Sequence, residues 1–402
     1  MSSLRFTFVI ARYGAEILGG AERHARSIAL RLAGRGHDVC VLTTCARSYR
    51  TWRNEYEPGI SADGGVHVER FPVERGRRAS EGLLKQLSHL FPSSSFLSRA
   101  WVSAQGPEVP SLFRRLAEVQ SSRDLFVFQQ LLSYTTMVGL PGVAGRSVLV
   151  PLVHRERGVT GRVAIETLTR PLALFANTDE EADAIRDLAG TAAAPIRTVA
   201  VGLDEPPATG TTSVPRQPYL LFMGRTGKMK PLLNTWRALT STPGLPPLER
   251  NGRSVPWSEV TLVITGEQSA DASGLSNVVQ LGFVDDQTRW DVLRGAEALV
   301  NPSLYESLSL ILLEAWTVER PVIVNAKCEV TQGLTARAGG GIAVDFAAPT
   351  QAARRIAQGL ASDAQRTDYG RSGRRFATTT FVWDRVLDAY EDAARTAIAR
   401  RA

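Results

Sequence analysis

Cysteine is scarce in this chain, and long hydrophobic runs are missing. The three cysteines, Cys40, Cys45 and Cys328, are odd in number and show no CxxC spacing. They predict reduced thiols, with neither a disulfide framework nor a metal cluster. No apolar stretch is long enough to span a bilayer, and residues 6–11, followed by Arg12, are typical of a strand rather than of a signal peptide. We therefore expect a cytoplasmic protein.

The chain also lacks the short motifs of several enzyme and binding classes. It contains no GxxxxGK[ST] phosphate loop, no GxSxG nucleophile elbow and no HExxH zinc motif. Because no Asp-x-Asp pair occurs, a metal-held nucleotide is unsupported and we expect no metal site. Nucleic acid is disfavoured as a partner, since no basic run carries interleaved aromatics and no zinc-finger spacing occurs.

The overall composition fits a folded protein of two domains with an anionic ligand or partner. A length of 402 residues exceeds what one ordinary core covers, and 44% of the residues are hydrophobic. The formal net charge is +7. That charge fits an anionic ligand, an acidic acceptor or an anionic membrane surface, and it selects none of the three.

Short apolar segments alternate with amphipathic ones along the chain, which predicts a parallel α/β sheet. The alternation is interrupted at residues 204–218 by a stretch rich in proline, threonine, serine and glycine, which is typical of a linker. The pattern predicts one domain at 1–203 and a second at 219–378, followed by a helix at 379–402. Within the second domain, residues 242–256 are expected to form an irregular surface loop.

Residues 305–315 carry the most informative pattern, in which two glutamates flank and enter a run of leucine and isoleucine. A buried carboxylate needs a partner, so Glu314 is either paired or placed on the wet face of an amphipathic helix. Glu306 converges best with Glu314 if it lies in a loop and the helix begins near Ser307. A helix start there would aim N–H groups at an anion, most naturally a phosphate.

Two turns that contain glycine could also contact a ligand. Gly19 and Gly20 separate the first predicted strand from its helix, which either lets a ligand approach the backbone or simply makes a tight turn. Arg225 and Lys230 follow a predicted strand at 219–223, at the end where open α/β sheets bind ligands. These two cations could neutralise a diphosphate, or they could belong to a solvated basic loop.

One of the five histidines follows a predicted strand. His154 comes after residues 147–153, so it could hydrogen-bond a sugar or position a reacting group, and a structural histidine is an equally good interpretation. His24, on the first predicted helix, and His37, in the turn after it, are interpreted as structural.

Taken in order, these motifs resemble those of the family 4 glycosyltransferases, which are retaining enzymes of the GT-B fold. The resemblance covers nearly the whole chain, and the Glu306–Glu314 pair is its most diagnostic part. The other matching segments are 12–14, 19–23, 35–39, 224–225 with Lys230, 281–284, 301–303 and 381–383. The resemblance implies two Rossmann-like domains that face each other across a cleft, with a C-terminal helix that crosses back to the N-terminal domain.

The resemblance also implies roles for residues of this sequence. Arg225 and Lys230 would grip the donor diphosphate, and His154 would lie near the donor sugar. Glu306 would face hydroxyls of the transferred sugar, and Glu314 would accept hydrogen bonds from the nucleotide ribose, which would supply the partner that its apolar setting demands. The other implied donor contacts are Gly19 and Gly20 at the diphosphate, Phe283 and Val284 beside the base, and the phosphate-binding backbone of Ser307, Leu308 and Ser309.

The implied reaction is a metal-independent hexosyl transfer, with retention at the anomeric carbon, from a nucleoside diphosphate sugar to an acceptor hydroxyl. The donor is a co-substrate and no cofactor is expected; UDP is favoured over GDP as its nucleotide. The acceptor would be a carbohydrate, a lipid-linked glycan or a small natural product. A nucleotide-sugar epimerase, a phosphorylase and a non-catalytic nucleotide- or glycan-binding protein of the same architecture stay open as alternatives.

Peripheral contact with the inner face of a membrane is a separate alternative. Residues 75–101 combine arginines with leucines and phenylalanines, so this stretch could touch an anionic bilayer. An ordinary helix and loop near the acceptor is the simpler interpretation of the same residues.

Overall fold

The structure, a computed structural model, describes residues 2–17, 19–155, 161–210, 217–225, 229–275 and 277–401. It divides into two compact units: unit 1 is Met1–Val201 with Trp383–Ala402, and unit 2 is Gly202–Val382. Each unit is built around its own parallel sheet, so the predicted α/β class is confirmed. Residues 211–216 of the predicted linker lie outside the described residues, and the rest of it belongs to unit 2.

Unit 1 has an eight-stranded sheet among its described residues. Its strands are β1 (Arg5–Val9), β2 (Asp38–Thr44), β3 (Gly59–Asp63), β4 (Val66–Phe71), β5 (Leu125–Gln129), β6 (Ser147–Val150), β7 (Ala173–Ala176) and β8 (Ile196–Thr198). Their order is β3-β4-β2-β1-β5-β6-β7-β8, parallel except for the β3–β4 pair. Its helices are α1 (Gly20–Gly34), α2 (Glu81–Leu90), α3 (Ser95–Gln105), α4 (Pro110–Val119), α5 (Tyr134–Gly139), α6 (Arg162–Thr169) and α7 (Asp179–Ala189).

Unit 2 has a six-stranded sheet and a separate hairpin in its described part. Its strands are β9 (Tyr219–Gly224), β10 (Leu248–Arg250), β11 (Arg253–Val255), β12 (Thr261–Gly266), β13 (Val278–Gly282), β14 (Ala298–Asn301), β15 (Val322–Asn325) and β16 (Gly341–Val344). The sheet is parallel, in the order β13-β12-β9-β14-β15-β16. Its helices are α8 (Lys230–Ser241), α9 (Asp286–Gly295), α10 (Leu310–Thr317), α11 (Glu329–Ala338), α12 (Pro349–Leu360) and α13 (Asp363–Thr380).

The hairpin of β10 and β11 corrects the expectation of an irregular loop at 242–256. The two strands pair antiparallel, and Asn251 and Gly252 connect them with φ values of 50° and 73°. An Asn-Gly pair with two positive φ angles matches the tight turn that joins two strands in a hairpin. The prediction was wrong here because it took the surrounding proline and glycine as loop signals and did not use this dipeptide.

The last helix, α14 (Trp383–Ala399), belongs to unit 1. The Arg31 guanidinium lies 3.7 Å from the centre of the Trp383 ring, and Arg35 forms ion pairs with Asp388 at 2.6 Å and Glu391 at 3.0 Å. Arginines in the last turn of α1 and directly after it therefore contact α14 and hold it on this unit.

Local sequence explains how several helices begin. Thr178 caps α7, because its hydroxyl accepts a hydrogen bond from the Glu181 backbone N–H at 3.1 Å. Pro231 lies in the first turn of α8, where a missing N–H costs no helical hydrogen bond. The buried side chains of Leu233 and Trp236 on that helix then join the core of unit 2.

Candidate active site

The topological switch point of unit 2 lies between β9 and β14. From β9 the chain builds outward through β12 and β13 on one side, and then returns to add β14, β15 and β16 on the other. The parallel register aligns Leu299 with Leu221 and Val300 with Phe222. The loops that follow these two neighbouring strands therefore emerge side by side, at the place where open α/β sheets bind ligands.

The loop after β9 brings two cations to this edge. Arg225 directly follows the strand, Lys230 is the first residue of α8, and both are exposed; residues 226–228 lie outside the described residues. The strand end approaches β12 closely because Gly266, at φ 102°, has no side chain. A Cβ atom there would lie 2.6 Å from the Gly224 carbonyl oxygen. Two exposed cations at a switch point suit an anionic group.

The loop after β14 is held by the buried side chain of Asn301. Its amide nitrogen donates to the Ser309 hydroxyl at 2.9 Å and lies 3.5 Å from a carboxylate oxygen of Glu306. Its amide oxygen accepts a hydrogen bond from the Ser303 backbone N–H at 3.0 Å. Asn301 thus shapes the loop that presents the half-buried Glu306. The sequence motif included Asn301 only as a strand end, so this orienting role was missed.

The helix after this loop begins later than the sequence predicted. Helix α10 begins at Leu310 rather than near Ser307, and Ser309 stands before it with φ 70° and ψ 80°. A left-handed serine is strained, and the hydrogen bond from Asn301 stabilises it there. Leu308 and Ser309 are buried and Ser307 is half-buried. Any phosphate at this edge would therefore meet an ordered loop ahead of the helix.

Glu314 has a partner that the sequence analysis did not foresee. It is 5% exposed, and one of its carboxylate oxygens accepts a hydrogen bond from Arg289 Nη1 at 2.6 Å. Arg289 comes from α9, also donates to Asp286, and lies 4.8 Å from the centre of the Trp290 ring. Arg289 already compensates the buried charge, so the apolar setting of Glu314 does not by itself require a nucleotide, and its contact with the ribose stays a prediction. No fixed spacing links the two positions, which explains the omission.

The predicted neighbours of the base follow β13 at the same edge of the sheet, two strands from β9. The Phe283 side chain is 75% exposed, which is unusual for a large apolar ring, and Val284 is half-buried. An exposed ring at the carboxyl end of a strand can stack on a planar group. The sheet therefore places Arg225, Lys230 and the Glu306 loop on neighbouring strands and these two apolar residues further along the edge.

In unit 1, the predicted glycines differ in their surroundings. Gly19 is the residue before α1, and a Cβ atom on it would lie 1.9 Å from a carboxylate oxygen of Glu22. That carboxylate is bound by Arg12 at 2.5 Å. Gly20 begins α1, and a Cβ atom on it would meet nothing within 4 Å. Packing therefore requires a glycine at 19, whereas at 20 the space is open.

His154 lies after β6, so β5 separates its strand from the β1 strand that leads to Gly19. The loop that carries it is held by Glu181 of α7, a residue that the sequence analysis missed as a polar anchor. Glu181 accepts hydrogen bonds from the backbone N–H groups of Val153 and Asn177, both at 2.7 Å. Burial raises the pKa of Glu181 to about 7, and these hydrogen bonds lower it only partly.

One other group of side chains has the composition of a metal site. Ligand atoms of Cys40, His67 and Glu69 lie within 4.8 Å of one another on β2 and β4. The Glu69 carboxylate is bound by Arg115 through both oxygens, at 2.8 Å and 3.1 Å. Burial raises the pKa of the Cys40 thiol to about 12, and a metal needs the thiolate. These features favour a structural role for the group.

A family profile and a curated protein are similar to the part of the chain that carries these loops. Residues 211–376 match the family profile described as "Glycosyl transferases group 1". A D-inositol 3-phosphate glycosyltransferase of Saccharomonospora viridis is 26% identical over 428 residues, covering 96% of this chain and 91% of that protein. The matched segment includes Arg225, Lys230, Glu306 and Glu314.

Solved structures share the fold of the chain. A sucrose-phosphate synthase from Thermosynechococcus elongatus superposes with a TM-score of 0.70 at 15% identity, over 99% of this chain and 100% of that one. Anabaena HepE, in complex with UDP and glucose, gives a TM-score of 0.64 at 15% identity, over 98% and 100%. The likeness confirms the predicted GT-B class for these two parallel-sheet units. Among the described residues, every helix is too short or too polar to cross a membrane.

Proposed function

We propose that the chain is a retaining glycosyltransferase, which moves a hexosyl group from a nucleoside diphosphate sugar to an acceptor hydroxyl without a metal ion. The observation that carries the proposal is the pair of loops at the switch point of unit 2. One loop offers the exposed Arg225 and Lys230, and its neighbour offers Glu306 on a scaffold fixed by Asn301. The first loop fits a diphosphate and the second fits sugar hydroxyls.

In the proposed reaction, the bond between the anomeric carbon and the β-phosphate oxygen breaks as the acceptor oxygen bonds to the same carbon. The negative charge that develops on the leaving diphosphate is stabilised by Arg225 and Lys230, which take the place that a divalent cation has in other transferases. The acceptor proton passes to the departing phosphate oxygen, so attack occurs on the face from which the leaving group departs. Glu306 accepts hydrogen bonds from the sugar and orients it.

Roles for the remaining predicted residues follow from this scheme. We assign Phe283 and Val284 to the base, the backbone of residues 307–309 to phosphate oxygens, and Glu314 with Arg289 to the ribose end of the donor. The assignments of Gly19, Gly20 and His154 to the donor stay predictions from the sequence.

The choice of nucleotide and acceptor draws on the printed names of similar proteins. A complex with UDP supports UDP as the donor nucleotide, with GDP as the alternative. The name D-inositol 3-phosphate glycosyltransferase makes a polyol phosphate the first acceptor to test, ahead of lipid-linked glycans and small natural products. No cofactor is proposed, because the donor itself is the activated substrate.

The test is a thermal-shift screen of the full chain with UDP, GDP and their sugar conjugates. A specific nucleotide should raise the melting temperature saturably, because binding to the native state stabilises it by mass action. UDP-sugar consumption is then followed with and without acceptor. Transfer requires a product that depends on the acceptor. An epimerase would alter the donor without an acceptor, and a phosphorylase would require inorganic phosphate. Stabilisation by none of these nucleotides would contradict the proposal.

We also propose that unit 1 makes peripheral contact with an anionic membrane through α2 and the turn into α3. Large apolar side chains are exposed there, at 61% for Leu83, 71% for Leu90, 55% for Phe91 and 78% for Phe96. The exposed Lys85 lies on the same helix. The opposite side of α2 is anchored, since Leu84 packs against the small core of α3 and its neighbours. An apolar surface with a flanking cation suits the headgroup region of a bilayer.

Vesicles that contain phosphatidylglycerol test this contact by co-sedimentation. Phe91→Ser and Phe96→Ser together should lower binding at least about tenfold, since each loses the transfer of a large ring into the interface. Ile60→Ser removes an equally exposed side chain from β3 and should leave binding unchanged. Equal binding by all three proteins would show that this surface does not contact lipid.

A further inference from the structure

A cavity in unit 2 gathers three arginines away from the loops described above. It has a volume of about 280 Å³ and is lined by Pro206, Arg294, Arg374 and residues 317–320; we call it the arginine cavity. Its lining carries three positive charges, with Arg320 as the third, and one negative charge, on Glu319. Arg294 pairs with Asp291 at 3.3 Å and Arg374 with Glu319 at 3.0 Å, so Arg320 supplies the lining charge for which the described residues show no ion pair, and this excess favours an anionic occupant.

The arginines reach the cavity from three parts of unit 2. Arg294 is in the last turn of α9, Arg374 is in α13, and Arg320 stands between α10 and β15. Because Arg320 comes two residues before β15, the cavity lies at the amino ends of the parallel strands. Arg225 and Glu306 follow the carboxyl ends of β9 and β14. The arginine cavity is therefore a separate place from the candidate donor loops.

Within the part of the chain that the structure describes, no carboxylate forms an ion pair with Arg320. Its Nε donates to the Val318 carbonyl oxygen at 3.2 Å, and its Nη1 donates to the Ala296 carbonyl oxygen at 3.3 Å. Those carbonyl groups are neutral, and burial lowers the pKa of Arg320 from its ordinary value. Arg320 is half-buried, and a cation partly withdrawn from water is stabilised by a compensating anion.

Two carboxylates, Glu297 and Glu319, act on the charge of Arg320, and both form ion pairs with other arginines. Glu297 binds Arg250 at 3.1 Å and Arg366 at 3.1 Å. Glu319 binds Arg374 at 3.0 Å on the exposed side of the cavity. Both carboxylates act on Arg320 only beyond ion-pairing distance, so a bound anion would add a direct ionic contact that the described carboxylates do not make.

We propose that the arginine cavity binds a phosphomonoester, with Arg320 and Arg374 as the guanidinium groups that hold the phosphate. Planar guanidinium groups match the oxygens of a phosphate in pairs, and a phosphomonoester brings close to two negative charges at neutral pH. The volume would hold roughly nine water molecules at about 30 Å³ each, which is room for a phosphate and a body of pentose size. The site does not depend on the proposed transferase activity.

Ribose 5-phosphate tests the site on the full chain by isothermal titration calorimetry, with ribose as the neutral matched probe. We expect saturable binding of ribose 5-phosphate and none of ribose. Arg320→Met and Arg374→Gln should each weaken binding at least about tenfold, because each removes a charge-assisted hydrogen-bond donor. Arg375→Gln removes the same charge from α13 without lining the cavity and should bind as the unaltered protein does.

The variant Arg225→Ala separates this site from the donor loops. It should bind ribose 5-phosphate normally and lose stabilisation by UDP, whereas the two cavity variants should show the reverse. Circular dichroism checks that Arg320→Met is folded; Arg374 is largely exposed on its helix, so its variant provides the test if the other unfolds. Unchanged binding in Arg374→Gln, or lost binding in Arg225→Ala, would overturn the proposal.

Discussion

The two units place loops of different charge at equivalent positions of their sheets. In unit 1 the switch point lies between β1 and β5, and in unit 2 it lies between β9 and β14. The turn after β1 brings the Glu22 carboxylate against Gly19, with Arg12 as its partner. The corresponding turn after β9 offers the exposed cations Arg225 and Lys230. With the same strand order at the switch point, the turn of unit 1 holds an ion pair, whereas the turn of unit 2 presents two exposed cations.

The neighbouring strands extend this contrast. At the end of β5 in unit 1, the Gln129 amide lies 2.8 Å from His24 Nδ1, and both side chains are buried. Burial lowers the pKa of His24 to about 4, so this histidine is neutral at physiological pH. At the end of β14 in unit 2, Asn301 instead supports the half-buried Glu306. Topology marks both edges as ligand sites, and the side chains make that of unit 2 the one suited to an anion.

The largest expected effect tests the cationic turn directly. Arg225→Ala or Lys230→Ala should lower sugar transfer by about 10²–10³-fold, because each removes a charge that stabilises the leaving diphosphate. Steady-state turnover measures the effect. Arg237→Ala, which removes an exposed arginine of α8 bonded to Asn234, is the matched control and should keep normal turnover. Near-normal activity in both test variants would show that the cations of the turn after β9 give it no catalytic role that the turn after β1 lacks.

The next largest effect concerns the ion pair between Arg289 and the buried Glu314 of α10, the helix that follows the Glu306 loop. Arg289→Met should lower the free energy of unfolding by about 3 kcal/mol, because it leaves the Glu314 carboxylate buried without its cation. Urea denaturation measures the change. Combining it with Glu314→Gln should recover part of the loss, since no unpaired charge is then buried. If the double variant is as unstable as the sum of the single ones, the two side chains act independently.

The pH dependence of stability tests the buried Glu181 of unit 1 separately from the Arg289–Glu314 pair of unit 2. Since the pKa of Glu181 is raised from 4.5 to about 7, the native state keeps a proton that the unfolded chain releases between those values. This contribution to stability is complete below the lower value and is lost as the pH rises through the higher one. Between about pH 5 and about pH 8, the free energy of unfolding should therefore fall by roughly 2 kcal/mol relative to Glu181→Gln. Parallel pH profiles for the two proteins would rule out this titration.

The smallest effects compare the two glycines at the switch point of unit 1. Gly19→Ala should destabilise the protein by about 1 kcal/mol, because its Cβ would collide with the carboxylate of Glu22 that Arg12 holds in place. Gly20→Ala should change stability by less than about 0.5 kcal/mol, since its Cβ meets nothing within 4 Å. Thermal melts compare both variants, and a further melt with UDP shows whether Gly20 contributes to donor binding.

Much of the fold could be predicted from local sequence patterns. The alternation of apolar and amphipathic segments predicted the parallel α/β class, which the two sheets confirm. Errors arose where a local signal was overlooked or overridden. The Asn251–Gly252 turn was overlooked, and the start of α10 moved to Leu310 because Asn301 holds Ser309 in a left-handed conformation.

The candidate site also contains residues that local patterns predicted and contacts that they missed. Arg225 and Lys230 were predicted from their position after an apolar strand, and Glu306 from the pattern of two glutamates at 305–315. The strand order then put their loops side by side. The pairing of Glu314 with Arg289 was missed because helices α9 and α10 bring together residues with no motif between them. Glu181 was missed because one of its partners, the Val153 N–H, comes from the loop after β6, far from it in sequence.

By itself, the sequence determined which segments are strands and helices and which polar residues follow the strands, since these depend on composition and period over a few residues. The tertiary structure alone decided which charges are compensated. Arg289 neutralises Glu314, whereas the half-buried Arg320 donates to neutral carbonyl groups beside a cavity. The physical reason is that the energy of a buried charge depends on partners contributed by other elements, and local sequence does not record their distance.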